Sequence, residues 1–507
     1  MPGNLVSRNI LLIRADANVA MGTGHAMRCL ALAQAWQDAG GCAVFAMVDP
    51  SPSFTNRIGK ESIEAVRIFG NAGAKEDAAQ TIALARERAV AWVVVDGYQF
   101  KEAFQQDLRT AGLKTLFLDD YGHSEHYCAD LVLNQNVSAA ASAYESREPH
   151  TRLLHGPQYC LLRREFSSWR EWKREIGPVG QRVLVTMGGS DPDNFTERAI
   201  EALDSIEDDK LEAAIVVGGS NERSATLERM VASVRSKKIT FRQDVSNMAE
   251  LMAWADVVVS AAGTACWEIC RLGLPALLID LADNQTPVAR ELQRRGCAIY
   301  LGGPKEVSAA KLAEQVERLR HSQKDRQLMS SRGRELVDGE GARRVVSILL
   351  GVSFRLRPAT ENDSRLLWEW ANDSEVRAAS FSSAPIAWET HIAWFTEKLR
   401  QDGCRILIAE DGTGAPVGQL RFDARADGDT EIDISVAKAW RGLGLAAKLI
   451  REGAQLISNT GFRGRIHAFV KQENAASARA FEKGGFKRID MGKIQGNAAI
   501  HFIYEGN

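Results

Sequence analysis

Short, almost wholly apolar runs alternate with amphipathic stretches through the first 350 residues of the chain. Ile10–Arg14, Ala43–Val48, Trp92–Asp96, Lys114–Asp119 and Leu131–Leu133 read as strands, and their lack of a polar face is the pattern of strands covered on both sides. Helical periods fall between several of them, at Ala26–Ala39 and Lys75–Arg88. Repeated strand–helix units predict a parallel sheet with helices on both faces. A charged, tryptophan-containing stretch at Glu165–Ile176, closed by Gly177-Pro178, ends this block. A second block repeats the pattern with strands at Val183–Thr186, Ala213–Val217, Ile239–Arg242, Val257–Val259 and Ala276–Ile279, and runs to Leu350. From Ser353 the pattern changes to a strand at Phe354–Pro358, then helices carrying Trp368, Trp370, Trp388 and Trp394. A hairpin with Asp411-Gly412 near its turn joins Ile406–Ala409 to Val417–Phe422. The predicted class is α/β: two Rossmann-like domains at 9–176 and 177–350 facing a cleft, then a mixed α/β domain at 353–507.

Composition narrows the function classes. A chain of 507 residues exceeds what one core supports, so several domains are expected. The net charge of −2 argues against nucleic acid as a partner. A local basic run (Arg163, Arg164, Arg170, Lys173, Arg174) is interleaved with Glu165, Glu171 and Glu175 and reads as a solvated helix face. The eight cysteines form no C-x-x-C pair, the usage of buried reduced thiols. The first apolar run is interrupted by Arg14 and Asp16, which makes it a strand rather than a signal peptide, and no apolar stretch reaches membrane-spanning length. The expectation is a soluble cytoplasmic protein with no membrane partner; oligomeric state is left open.

Candidate chemistry collects at the ends of predicted strands. After the first strand, Gly22 and Gly24 permit a tight turn and His25 stands at a helix start, where the positive helix end favours a neutral imidazole able to accept a proton from water. Arg28, one turn on, is placed to meet Asp16 or a phosphate, and Asp96 and Tyr98 follow a strand ending at the same edge. In the second block Gly263 and Thr264 offer free N–H groups and a hydroxyl to a diphosphate, and Glu268 follows where a carboxylate can take both hydroxyls of a ribose. Gly188, Gly189 and Ser190 form another glycine turn, and Asn284 and Gln285 a polar pair beyond the next strand. In the third block the alternating strand Glu431–Val436 runs into Arg441-Gly442-Leu443-Gly444-Leu445-Ala446 and an amphipathic helix, a cradle for a pyrophosphate. Glu431 and Asp433 share one face of that strand, so one is a candidate base.

That glycine loop, joined by Asn474-x-x-Ser477-x-x-x-Phe481-x-x-x-Gly485-Phe486, resembles the acetyl-CoA site of the GNAT acetyltransferase superfamily. The resemblance implies acetyl-CoA as cosubstrate, its pyrophosphate on the amides of Gly442, Gly444 and Ala446 with a charged contact from Arg441. It further implies a splayed strand offering Val436 and Ala437 to the pantetheine arm, and contacts to that arm from Asn474 and Ser477. Many members carry a tyrosine as thiol acid where this chain has Phe481, which leaves the acid unassigned.

The strand–Gly–helix–Glu arrangement around Gly263 and Glu268 resembles the UDP-sugar half of GT-B type glycosyltransferases. The fuller set RADANVAMGTGHAMRCLALA, VVVDGY (93–98), LDD (118–120), LNQN (133–136), LLRREF (161–166), TMGGSD and DNQ resembles one branch of that fold. That branch is the UDP-2,4-diacetamido-2,4,6-trideoxy-β-L-altropyranose hydrolase family of pseudaminic acid biosynthesis, and the resemblance covers nearly all of residues 9–350. It implies attack of water at the anomeric carbon with release of UDP, His25 as proton acceptor, and no metal. Asp119, Asp120, His123 and His126 could imitate a metal cluster, but their spacing is loop-like. The fusion implies two consecutive steps: N4-acetylation of UDP-4-amino-4,6-dideoxy-N-acetyl-β-L-altrosamine, then hydrolysis to the free sugar. Two other readings share these residues. One is a UDP-sugar glycosyltransferase, against which stands the lack of an apolar or basic surface helix near residues 50–110. The other is a UDP-sugar sensor fused to a protein N-acetyltransferase, against which stands the intact His25.

Overall fold

The computed structural model describes residues 9–17, 24–189, 191–219, 221–234, 238–351, 354–411, 414–441, 444–459 and 464–505. The chain divides into two compact units, Met1–Val346 and Ser347–Asn507. The first unit holds two parallel sheets. Strands β1 (Ile10–Ala15), β2 (Cys42–Met47), β3 (Glu64–Arg67), β4 (Trp92–Asp96), β5 (Thr115–Leu118), β6 (Leu131–Asn134) and β7 (Arg152–His155) lie in the order β3-β2-β1-β4-β5-β6-β7. Strands β8 (Arg182–Thr186), β9 (Glu212–Val217), β10 (Lys238–Gln243), β11 (Val257–Ala261), β12 (Ala276–Ile279) and β13 (Ile299–Gly302) lie in the order β10-β9-β8-β11-β12-β13. Both orders reverse direction once, between β1 and β4 and between β8 and β11, and the crevice beyond such a reversal is where doubly wound sheets bind ligands.

The central strands are buried along nearly their whole length, as their unbroken apolar runs require. The exception inside β1 is Arg14, fully buried and bonded to Asp77 at 2.9 Å and Asp16 at 2.8 Å, so its charge is matched where it sits. In these two sheets three strands escaped the periodicity reading. β3, β7 and β13 are four-residue outer strands with mixed or half-exposed patterns, and nothing in so short a run separates them from loop.

The basic run at 163–174 corrects the sequence reading. It forms a short 3-10 helix, Arg164–Trp169, and then irregular chain rather than a solvated α-helix. Arg163 is 5% exposed and ion-paired to Glu268. Arg174 donates to the carbonyls of Met252, Ala255 and Leu272, tying the segment to the second lobe. Arg163 and Arg174 close carboxylate and backbone acceptors, which charge alternation alone cannot reveal, while Arg170, Glu171, Lys173 and Glu175 are exposed, as a solvated stretch requires. Among the described residues every cysteine is a free thiol, six of them buried, and no helix is long and apolar enough to cross a membrane.

The second unit is one mixed sheet. Strands β14 (Phe354–Pro358), β15 (Cys404–Asp411), β16 (Pro416–Ala424), β17 (Thr430–Val436), β18 (Arg465–Lys471), β19 (Lys487–Ile494) and β20 (Asn497–Glu505) lie in the order β14-β15-β16-β17-β18-β20-β19. Every pairing is antiparallel except β17 with β18. The helix Leu445–Ser458 buries Leu445, Leu449, Ile450, Ala454 and Ile457. Trp370 and Trp394 pack against the core of Leu367, Phe395, Ile406 and Ile408, and Trp368 donates its indole N–H to Ile386 O at 2.8 Å, so these tryptophans serve packing.

Candidate active sites

At the carboxyl ends of β1 and β4, the helix Gly24–Asp38 and Asp96 bring a charged network together. His25 Nδ1 lies 2.6 Å from Asp96 Oδ1. Arg28 grips the same carboxylate through Nε and Nη2, both at 2.7 Å, and reaches Asp120 through Nη1 at 2.6 Å. This replaces the expected Arg28–Asp16 contact: Asp16 is held by Arg14 and the Val48 amide, on the far side of the strand end. Burial works against the charged forms of Asp96 and Asp120, but the Arg28 guanidinium outweighs it, and Asp96, with His25 adding to Arg28, is held well below the usual carboxylate range. An ionised Asp96 accepts the Nδ1 proton, which leaves Nε2 with the free lone pair. Tyr98 donates to Asp120 at 2.7 Å, and both its burial and that carboxylate push its phenol far above the ordinary value, so it stays a neutral donor.

The second lobe meets this network across a cavity of about 520 Å³. Gly24, His25, Arg28, Tyr98, Gly188, Gly189, Gly263, Thr264, Glu268, Asn284 and Gln285 all line it, while Asp96 stands behind His25. A side chain at Gly24 would come within 3.6 Å of Thr264 Oγ1, so the histidine turn and the start of helix Ala265–Arg271 almost touch. Asn284 Nδ2 donates to Tyr98 at 2.8 Å, joining the lobes at the rim, and Gln285 Oε1 accepts from the Leu281 amide at 2.9 Å. Glu268 Oε1 is held by Arg163 Nη2 at 2.8 Å, which orients the carboxylate at the cavity wall. Ser190 and Gly22 lie outside the described residues.

Several lining groups were missed by the sequence reading: Arg57, Asn136, Arg163 and the turn Gly218-Gly219. Arg57 spans the lobes, donating to Ser246 O at 2.8 Å and Glu165 at 3.2 Å. A signal existed for the glycine turn. Strand β8 ends in Gly188-Gly189-Ser190 and β9 in Gly218-Gly219-Ser220, the same punctuation twice. A side chain at Gly218 would meet Gly189 O at 2.4 Å, so the two turns pack backbone to backbone. Of the four residues that could imitate a metal cluster, Asp119 and His123 stay together at 2.7 Å, while Asp120 serves Arg28 and His126 bonds Ser146 at 3.1 Å. His126, Cys128 and Glu148 do converge, but Arg109 already pairs with Glu148 at 3.0 Å.

In the second unit, β17 and β18 pair at only two positions, Thr430 with Ile466 and Glu431 with His467, and then part. From Ile432 onward β17 keeps only its β16 partner, and the freed edge opens a gap. Gly444 has φ +78°, the left-handed conformation that starts helix Leu445–Ser458, and the first-turn amides there, Ala446 included, have no intrahelical acceptor. Gly442 lies outside the described residues. Other groups of this site are already engaged. Arg441 is ion-paired to Asp373 at 2.7 Å and Glu375 at 3.0 Å, and its Nε donates to Val436 O at 3.0 Å. The Ala437 amide donates to Val417 O at 3.0 Å, and its carbonyl accepts from the Trp440 amide at 2.8 Å. Asn474 caps the helix Ala475–Lys483 by accepting from the Ser477 amide. Phe481 packs on Phe486 and Phe502, so the position of the missing tyrosine is filled by core. Burial, opposed by Arg425 and Arg421, pushes the Glu431 carboxyl above its ordinary value.

Residues 182–341 match the glycosyltransferase family 28 C-terminal domain, and residues 353–487 match the acetyltransferase (GNAT) domain. An uncharacterised protein of Methanocaldococcus jannaschii is 24% identical over 515 residues, spanning 98% of this chain and 99% of that protein. The spore coat polysaccharide biosynthesis protein SpsG of Bacillus subtilis is 29% identical over 235 residues, 46% of this chain and 68% of that one. The UDP-N-acetylglucosamine–N-acetylmuramyl-(pentapeptide) pyrophosphoryl-undecaprenol N-acetylglucosamine transferase of Azotobacter vinelandii is 33% identical over 185 residues, 35% of this chain and 51% of that one. The chain therefore joins a glycosyltransferase-28-like domain to a GNAT acetyltransferase domain.

Proposed function

We propose that the protein performs two consecutive steps on a UDP-amino sugar. The domain at 353–507 transfers an acetyl group from acetyl-CoA to the 4-amine of UDP-4-amino-4,6-dideoxy-N-acetyl-β-L-altrosamine. The lobes at 9–176 and 177–350 then hydrolyse UDP-2,4-diacetamido-2,4,6-trideoxy-β-L-altropyranose to UDP and the free sugar.

The observation that carries the hydrolytic reading is the His25–Asp96 pair at 2.6 Å, opening on the cavity beside Thr264. With Nδ1–H bound to Asp96, Nε2 accepts the proton of a water attacking the anomeric carbon, and the buried carboxylate stabilises the imidazolium that forms. The C1–O bond breaks towards UDP, and the charge growing on the diphosphate meets the amides at Gly263 and Thr264. Glu268, oriented by Arg163, takes the ribose hydroxyls, and Asn284 and Gln285 serve the sugar–diphosphate side. For acetyl transfer, the gap between β17 and β18 admits the thioester arm, Gly444 and Ala446 hold the pyrophosphate, and Glu431 is the candidate base.

The test is to incubate the full chain with the UDP-4-amino sugar, with and without acetyl-CoA, and follow UDP, CoA thiol and sugar mass together. Thiol release that needs the amino sugar, followed by UDP release, supports both steps. The similarity to the Azotobacter vinelandii transferase favours one other outcome: thiol without UDP, which reassigns the cleft to transfer onto an acceptor other than water.

A further inference from the structure

Four titratable side chains in the second unit form an unbroken line that the reading above leaves unused. Asp429 Oδ2 lies 2.8 Å from His467 Nε2, His467 Nδ1 lies 2.9 Å from His501 Nε2, and His501 Nδ1 lies 3.0 Å from Asp490 Oδ1. The line crosses from the start of β17 over β18 and β20 to the outer strand β19. Its side-chain exposure rises from 7% at His467 to 18% at His501 and 65% at Asp490.

Counting protons defines its chemistry. Each outer nitrogen faces a carboxylate and must carry a hydrogen to donate. The inner nitrogens face one another at hydrogen-bond distance and need one hydrogen between them. All three contacts are satisfied only when two imidazoles share three protons, one more than the neutral pair holds. The geometry fits the state after a proton has been captured. His467 holds the Asp429 carboxyl down at about 2, helped by Arg465, so a proton reaching Asp429 passes on to the imidazole rather than staying there. Beyond these, the charged groups facing the line are Asp427, which accepts from the Asp429 amide at 3.1 Å, Glu431, the strand partner of His467, and Arg425, which lies over Phe469 against His501.

The line begins where acetyl transfer needs it. Glu431 is the last β17 residue paired with β18, at the mouth of the gap, and Asp433, Glu431 and Asp429 follow one face of the strand at about 7 Å steps. We propose that Asp429, His467, His501 and Asp490 form a proton wire that drains the acetyl-acceptor ammonium to the exposed edge of the sheet. This rests on the acetyltransferase reading. The ammonium N–H breaks and its proton passes by water and the β17 carboxylates into the histidine pair, and from Asp490 to solvent. The freed amine bonds to the acetyl carbon, the C–S bond breaks with its electrons on sulfur, and the second amine proton ends on the thiolate.

The experiment compares the full chain with His501→Gln and Asp490→Asn in acetyl-CoA-dependent thiol release with the UDP-4-amino sugar, from pH 6 to 9. His501→Gln should lower kcat at neutral pH on the order of tenfold, leave KM for acetyl-CoA unchanged, and recover as pH rises and the amine arrives neutral. Asp490→Asn, at the exposed end, should do the same to a smaller degree and covers misfolding of the first variant. A kcat unaffected by both, or reduced equally at every pH, overturns the wire. If the unaltered chain releases no thiol with this sugar, the acceptor assignment fails. The wire is then judged by proton NMR of the ring N–H signals. A third hydrogen-bonded ring proton that disappears in His501→Gln upholds it, and only two such protons across the pH range overturn it.

Discussion

The cleft of the first unit and the gap of the second arrange their charged groups in opposite ways. In the cleft, one histidine is locked by a fully buried carboxylate, itself gripped by a buried arginine, and each charge is matched before any ligand arrives. In the gap, the acids stand half exposed on an open strand face, Glu431 at 46% and Asp433 at 50%. In the proposed hydrolysis the first arrangement would aim a fixed base at a weak nucleophile, water. In the proposed acetyl transfer the second would meet an amine that needs only to lose a proton, so backbone geometry around the thioester would matter more than the placement of one side chain. Preorganised charge carries the first site; a parted ladder carries the second.

Removing the base should separate them most sharply. His25→Ala is expected to lower UDP release about 10³-fold while leaving acetyl transfer untouched, read by UDP and thiol assays on the same sample. Loss of both activities would show that the two sites do not work independently.

Asp96→Asn attacks the preorganised charge itself. It strands Arg28 with a single partner and should cost about 3–5 kcal/mol of stability, measured by denaturant unfolding of the first unit. The sign in pH follows from the depressed carboxyls of Asp96 and Asp120. Their contribution is complete above the unfolded carboxylate value near about 4 and is lost as pH falls below it towards their folded values, so Asp96→Asn should flatten acid unfolding below that point.

A smaller effect tests the open face. Glu431→Gln should reduce kcat for acetyl transfer about tenfold, with UDP release from the already acetylated UDP-sugar unchanged. Arg425→Gln removes a cation that holds the Glu431 carboxyl down, so the acid limb of the acetyl-transfer profile should move to higher pH. Smallest is Gly444→Ala. Nothing crowds a side chain there, but φ +78° costs an L-residue about 1 kcal/mol, and KM for acetyl-CoA should rise a few-fold.

Much of the fold was legible because its signals are local. Unbroken apolar runs marked β1, β4, β8 and β11, since a strand covered on both faces cannot carry a polar stripe. Glycines at strand ends marked the turns at Gly188, Gly263 and Gly444, and the residues beside them line the cleft or the gap. The short outer strands were not legible because half-exposed runs carry no distinguishing period, nor was β18, whose buried His467 and Lys471 break its apolar run.

What the sequence by itself determined is which central elements exist and where glycine turns close the strand ends, because periodicity and turn residues act over a few positions. The partners were decided only in three dimensions. Arg28 turned from Asp16 to Asp96 and Asp120, which lie 68 and 92 residues away. A run of arginines that alternates with glutamates became the struts behind Glu268 and the second lobe. Asp429 and Asp490, 61 positions apart, were joined through two histidines on neighbouring strands. A charge is satisfied by whatever opposite charge the chain's path brings within about 3 Å, and that path is a property of the packed sheets, which no local pattern contains.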